Sequence, residues 1–235
     1  MAGIFTVAAF DAGGTKNVGF YLRMYDGSGA QLGAPVCRHG AAGVGLAVTD
    51  LVDALKEGPV ALGIEAPCWA PGASHPFDPA TFMRKRPFEG TRSWSAPAGA
   101  YVSMAGRVLA EIVLQGIVAA NTQPRATFGA QRGAEWSEPG DLLLWEAFVS
   151  AEHKPPPQVP HEGEAVEEHN AHVADARYAV EEGFLPLWKQ GTLNSIVWPN
   201  DQGRSCPSWA TPWRAPSWSA PSSREARRGG PDRAW

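Results

Sequence analysis

Long apolar runs, paired cysteines and a leader-like start are all missing from this chain of 235 residues. No stretch of 18 or more apolar residues occurs, so no membrane span is expected. The N-terminus has no basic region ahead of an apolar run, so no secretory signal is expected either. The three cysteines, Cys37, Cys68 and Cys206, are scattered and odd in number. They make neither a disulfide framework nor a metal-ligand spacing. A reducing cytoplasm is the expected compartment. Charge is sparse too, at 19 % of residues against 44 % hydrophobic. That balance supports one sizeable core, or a core with appendages.

The formal net charge of −4 conceals an asymmetry. From Pro199 onward, six arginines (204, 214, 224, 227, 228 and 233) face only Asp201, Glu225 and Asp232. The tail is therefore basic, and residues 1–198 carry the whole acidic excess. An acidic body excludes a general nucleic-acid coater. It is compatible with an acidic metal site that handles phosphates locally.

One stretch organises the rest: Thr6-Val-Ala-Ala-Phe-Asp11-Ala-Gly-Gly-Thr-Lys16. An apolar run ends in an acid and two glycines, and a second run, Val18 to Leu22, follows at once. The pattern predicts two hairpin strands, 3–11 and 17–25. A turn signal at 26–29 precedes a third strand, Gln31 to Arg38. Residues 40–45 read as a loop and Leu46 to Lys56 as a helix stopped by Gly58. Val60 to Glu65 is a further buried strand ending in an acid. Residues 66–100 are loop-like. Tyr101 to Ala119 reads as a long helix and Asp141 to Val149 as a strand. Residues 154–160 form a proline-rich linker. Glu162 to Glu182 reads as a helix stopped by Gly183, and Thr192 to Trp198 as a short strand or irregular cover. The expected order is β-β-β-α-β-α-β-α, a mixed sheet covered by helices. The chain divides into a body, 1–198, and a Pro/Trp/Arg-rich tail, 199–235, that reads as disordered. Its four tryptophans leave a partner-docking role open.

Asp11 and Glu65 end two strands that, if parallel neighbours, bring their carboxylates to one sheet edge, where ligand sites of open α/β sheets lie. On the last helix, His169, His172 and Asp175 follow at spacings of three, and His172 and Asp175 share a face. Three carboxylates with an imidazole would bind a hard divalent cation, Mg²⁺ or Mn²⁺. Two such cations about 4 Å apart support in-line phosphoryl transfer.

The acid placement in "AAFDAGGTKN", "ALGIEAPCWAP" and "HNAHVADARYAV" resembles the RNase H-like nuclease superfamily, in particular its RuvC-like branch. The whole chain resembles an uncharacterised group of predicted nucleases with that fold. The resemblance implies an RNase H-like mixed sheet, a three-strand antiparallel meander plus parallel strands. It implies metal-dependent hydrolysis of nucleic-acid phosphodiester bonds, with DNA or RNA left open. It implies catalytic Asp11, Glu65, Asp175 and His172, the three acids holding the metal. His172 stands where many relatives carry an acid. The Arg-rich segment after the second acid supplies Arg84, Lys85, Arg86 and Arg92 for backbone phosphates, and Lys16 is a further substrate contact. Glu146, Glu89 and His169 are auxiliary candidates.

Two other readings stand beside this one. Asp11-Ala-Gly-Gly-Thr-Lys16 is similar to the first phosphate loop of actin-like ATPases and sugar kinases, in which backbone amides cradle ATP phosphates. That fold needs a second domain with its own Asp-Gly hairpin, and residues after 100 offer none. The third reading is a non-catalytic module whose tail binds a protein partner. Individually the residues have plainer roles. Asp11 can cap the Gly-Gly turn, Glu65 can be a solvated strand end, and Glu146 can face solvent on an amphipathic strand. The basic run at 84–86 can be a solvated loop. The joint pattern is what favours the metal site.

Overall fold

The computed structural model describes residues 3–13, 17–65, 97–120, 122–128, 136–147 and 170–190. β1 (Ile4–Ala12), β2 (Val18–Asp26) and β3 (Gln31–His39) form an antiparallel meander. β1 also pairs in parallel with β4 (Val60–Ile64), β4 with β6 (Asp141–Glu146), and β6 with β5 (Arg125–Phe128). The result is a six-stranded mixed sheet in the order β3-β2-β1-β4-β6-β5. The helices are α1 (Gly40–Glu57), α2 (Pro97–Ala119), α3 (Ala171–Tyr178) and α4 (Leu185–Gln190), with a π-helical segment, Ala179–Phe184, joining the last two.

β1 shows why the sheet has two covered faces. Its side chains alternate, and both sets are buried. Phe5, Val7 and Ala9 enter one core with Tyr21, Leu143, Val180 and Phe184, under the C-terminal helices. Ala8, Phe10 and Ala12 enter another with Phe20, Leu51, Leu62 and Ile117, under α1 and α2. A strand buried on both faces reads as a continuous apolar run, as this one does. β1 is therefore the central strand, and its carboxy end is fixed from both sides.

The α/β class and the meander followed by parallel strands match the expectation, but several details differ. β5 was not expected. It is a four-residue edge strand held by pairing to β6 and by Arg125, whose Nε donates to Asp141 Oδ1 at 2.7 Å. So short a segment has no periodicity of its own to detect. α1 starts at Gly40, so the expected loop at 40–45 is its first turn and a half. Arg38, at the end of β3, donates from Nε and Nη2 to Asp50 at 2.9 and 3.1 Å. That fork ties β3 to α1 and holds the Gly- and Ala-rich turn in helix. β6 ends at Glu146, short of Val149. Gly183 does not stop the last helix but lies within the π segment. Phe184, Leu185 and Leu187 beyond it are buried, and their burial outweighs the roughly 1 kcal/mol penalty of a helical glycine. Of the loop expected at 66–100, residues 97–100 are instead the first turn of α2, and 66–96 lie outside the described residues, as do the linker, the helix portion 162–169, the segment 192–198 and the tail. Among the described residues no helix is long and apolar enough to cross a membrane.

Candidate functional site

The site grows from the register of three parallel strands. Phe10 pairs with Ile64, and the Glu65 N–H donates to the Phe10 carbonyl at 2.8 Å. Asp11 and Glu65 thus occupy adjacent positions on neighbouring strands, about 4.8 Å apart. Ile64 pairs in turn with Glu146, and the Ala147 N–H donates to the Ile64 carbonyl at 3.0 Å. Three acids therefore end three consecutive strands, β1, β4 and β6, at the carboxy edge of the sheet. All three are buried. A buried carboxylate is expensive unless it is paired or meets a cation.

Alternation separates their faces. Asp11 continues the phase of Val7 and Ala9, beneath the C-terminal helices, and Glu65 that of Ala61. Glu146 continues the phase of Leu142 and Leu144, which enter the core under α1 and α2. Glu146 is therefore not the solvent-facing residue of an amphipathic strand. It is buried on the opposite face of the sheet from α3.

α3 closes the site over Asp11. Asn170 caps it, its Oδ1 accepting the His172 N–H at 2.9 Å. Val173 and Ala176 bury the inner face of the helix. His172 Nδ1 reaches Asp11 Oδ2 at 2.5 Å, with the imidazole 28 % exposed. With Asp11 ionised, Nδ1–H is the donor. Asp175 follows one turn later and is buried. This approach depends on two absent side chains. A Cβ at Gly19 would strike the His172 carbonyl group and the Val173 nitrogen, and a Cβ at Gly13 would strike the His172 ring. Glycine at both positions lets the first turn of α3 rest directly on the β1–β2 hairpin.

Gly19 and Asn170 escaped the sequence reading, whereas the glycines of the β1–β2 turn, Gly13 among them, are expected from the sequence to allow a close approach. A glycine inside a strand pattern is itself a signal of close backbone approach. Asn170 is a cap signal, hidden because the helix was expected to start at Glu162. A further polar cluster lies along the same helical run. Glu181, in the π segment, accepts from the Tyr21 hydroxyl at 2.5 Å and from Arg177 Nε at 3.0 Å. Burial, reinforced by Glu181, pushes the Tyr21 hydroxyl far above its ordinary pKa. Tyr21 is thus a permanent donor that pins the helix to β2. Asp141 is a buried acid of another kind, at the opposite end of its strand from Glu146. Burial pushes its pKa up, but the Ser137 and Glu138 N–H groups and Arg125 outweigh that and hold it below the usual carboxylate range. Its Oδ2 accepts those two amides at 3.0 and 2.8 Å.

The structure therefore sets His172 against Asp11, with Glu65 at the adjacent strand position, Asp175 one turn along α3 and Glu146 at the same edge on the other face. Lys16, Arg84, Lys85, Arg86, Glu89, Arg92 and His169 lie outside the described residues. Among the described residues, no three His, Cys, Asp or Glu side chains stand together as a ready metal cage. Comparison with known protein families, with curated proteins and with solved structures gives no match for this chain.

Proposed function

We propose that this chain is a divalent-metal-dependent nuclease of the RNase H-like type. The observation that carries the reading is the edge just described: acids at the ends of neighbouring parallel strands, with a helix bringing a histidine onto the first of them. The donor set suits Mg²⁺ or Mn²⁺, which prefer carboxylate oxygens. A three-ligand protein cage is not required, because Mg²⁺ is commonly held by one or two carboxylates, waters and substrate phosphates. Asp11 and Glu65 would hold the ion, with Asp175 from α3. A bound divalent cation would supply charge neutralisation at the phosphate and a more acidic water.

The remaining chemistry belongs to the side chains. His172 orients the Asp11 carboxylate through Nδ1 and can carry a proton away from the reacting water at its exposed edge. Arg84, Lys85, Arg86, Arg92 and Lys16 supply the phosphate contacts that an acidic body otherwise lacks. The phosphotransferase reading finds less support, since the described residues form a single six-stranded sheet.

Calorimetric titration of Mn²⁺ and Mg²⁺ into the wild type and Asp11→Asn tests the reading, alongside cleavage of branched and single-stranded DNA and RNA. Binding and cleavage present in the wild type and absent from the folded variant are expected. Equal, negligible metal binding in both proteins rules the mechanism out.

A further inference from the structure

α2 carries a second apolar face that the fold does not use. Leu109, Val113 and Ile117 are buried against the sheet. Tyr101, Met104, Val108 and Ile112 form a separate stripe, 53, 65, 51 and 52 % exposed. Their spacings of three, four and four follow one side of a helix over three turns. Scattered exposed apolar residues need no explanation, but a contiguous stripe does. The stripe borders a groove of about 380 Å³, walled on its far side by Ala12, Val18, Ala41 and Val44. The groove is concave, apolar and helix-lined.

The charges beside the stripe indicate what covers it. Arg107 and Glu111 are both exposed. At 100° per residue they fall on the same flank of the stripe, away from the groove. In an antiparallel pair of identical helices, like flanks meet. With the two-fold axis at the height of Leu109, Val108 of one copy packs between Val108 and Ile112 of the other. Arg107 of each copy then stands level with Glu111 of its partner. Apolar stripe and charge pair are both self-complementary, which is the requirement for an isologous interface. A parallel arrangement would not pair the charges reciprocally. We infer that the exposed face of α2 is a homodimer interface in which two copies pack α2 against α2, antiparallel.

The full-length chain should show a concentration-dependent monomer–dimer equilibrium by analytical ultracentrifugation. Val108→Asp places like charges together beside the two-fold axis and should weaken the dimer by at least about tenfold, that is by more than about 1.4 kcal/mol. Arg107→Glu should weaken it as well, and Arg107→Glu combined with Glu111→Arg should restore it. The two charge variants sit on an exposed flank, so they test the interface even if Val108→Asp fails to fold. A wild type that stays monomeric at all concentrations overturns the proposal. That outcome, with the stripe protected from hydrogen exchange, would point to another part of the same chain as its cover. A dimer indifferent to the charge swap overturns it equally.

Discussion

Two glycines and one carboxylate show how single positions decide this structure. Gly19 faces the peptide between His172 and Val173 so closely that no Cβ fits there. Gly19→Ala must lift the first turn of α3 from β2, an overpacking penalty of about 1–3 kcal/mol. The same shift draws His172 off Asp11. Loss of such a supporting contact typically weakens a metal site about 10–100-fold. Thermal unfolding and Mn²⁺ titration of Gly19→Ala check both effects. A variant with wild-type stability would mean that α3 does not rest on this strand. Asp141 acts elsewhere and without a ligand. Its carboxylate organises the turn into β6 and holds Arg125 on β5. Its folded pKa is depressed, so the unfolded chain binds the proton more readily. The stability it contributes is complete above the ordinary carboxylate range and is lost as pH falls through the lower folded value. Asp141→Asn should lose about 1–3 kcal/mol at neutral pH. It should also flatten the loss of stability below about pH 4, where ordinary carboxylates titrate. An unchanged acid unfolding profile in the variant would contradict this assignment.

At the scale of elements, α3 is short, and its start matters more than its length. Asn170 caps its N-terminus, and the capped amide belongs to His172 itself. Asn170→Ala should cost about 1 kcal/mol and fray the turn that carries the imidazole. Asn170→Asp, which keeps the acceptor, should retain most of that stability. Urea unfolding of the two variants separates them, and equal losses would show that the cap is not the cause. The same helix shows what was legible in the sequence. The strands β1, β2, β3 and β4 were readable to within a residue or two, because each is an unbroken apolar or alternating run closed by a turn residue. That Asp11 and Glu65 end their strands was readable for the same reason. Three things were not. β5 owes its existence to β6, not to its own four residues. The opening turns of α1 carry Gly40, Gly43 and Gly45, poor helix formers, beside the Arg38–Asp50 fork. The passage through Gly183 depends on distant apolar contacts made by Phe184 and Leu187. In each case the deciding interaction is tertiary, and local propensity pointed elsewhere.

For the whole molecule, the sheet gathers negative charge at one edge. Asp11, Glu65, Glu146 and Asp175 are all buried near the carboxy ends of β1, β4 and β6 or on the helix above them. His172 meets one of them, Asp11. Adjacent carboxylates repel, and burial strengthens the repulsion by lowering the local dielectric. A fold gains nothing from such an arrangement by itself. Sites that trade stability for ligand binding are where a protein tolerates it. Glu65→Gln keeps the shape of the side chain and removes one charge next to Asp11. In metal-free buffer it should therefore raise stability, by on the order of 1 kcal/mol. Added Mn²⁺ should raise the melting temperature of the wild type, since a ligand that binds only the folded state stabilises it. Glu65→Gln should show little of that rise. The two proteins would thus exchange rank between metal-free and metal-saturated buffer. Scanning calorimetry with and without Mn²⁺ gives the result directly. If Glu65→Gln is instead the less stable protein without metal, and Mn²⁺ raises neither melting temperature, then Glu65 is a structural acid with a partner of its own. The strand ends would then mark a tightly built sheet edge, and the nuclease reading would lose its second ligand.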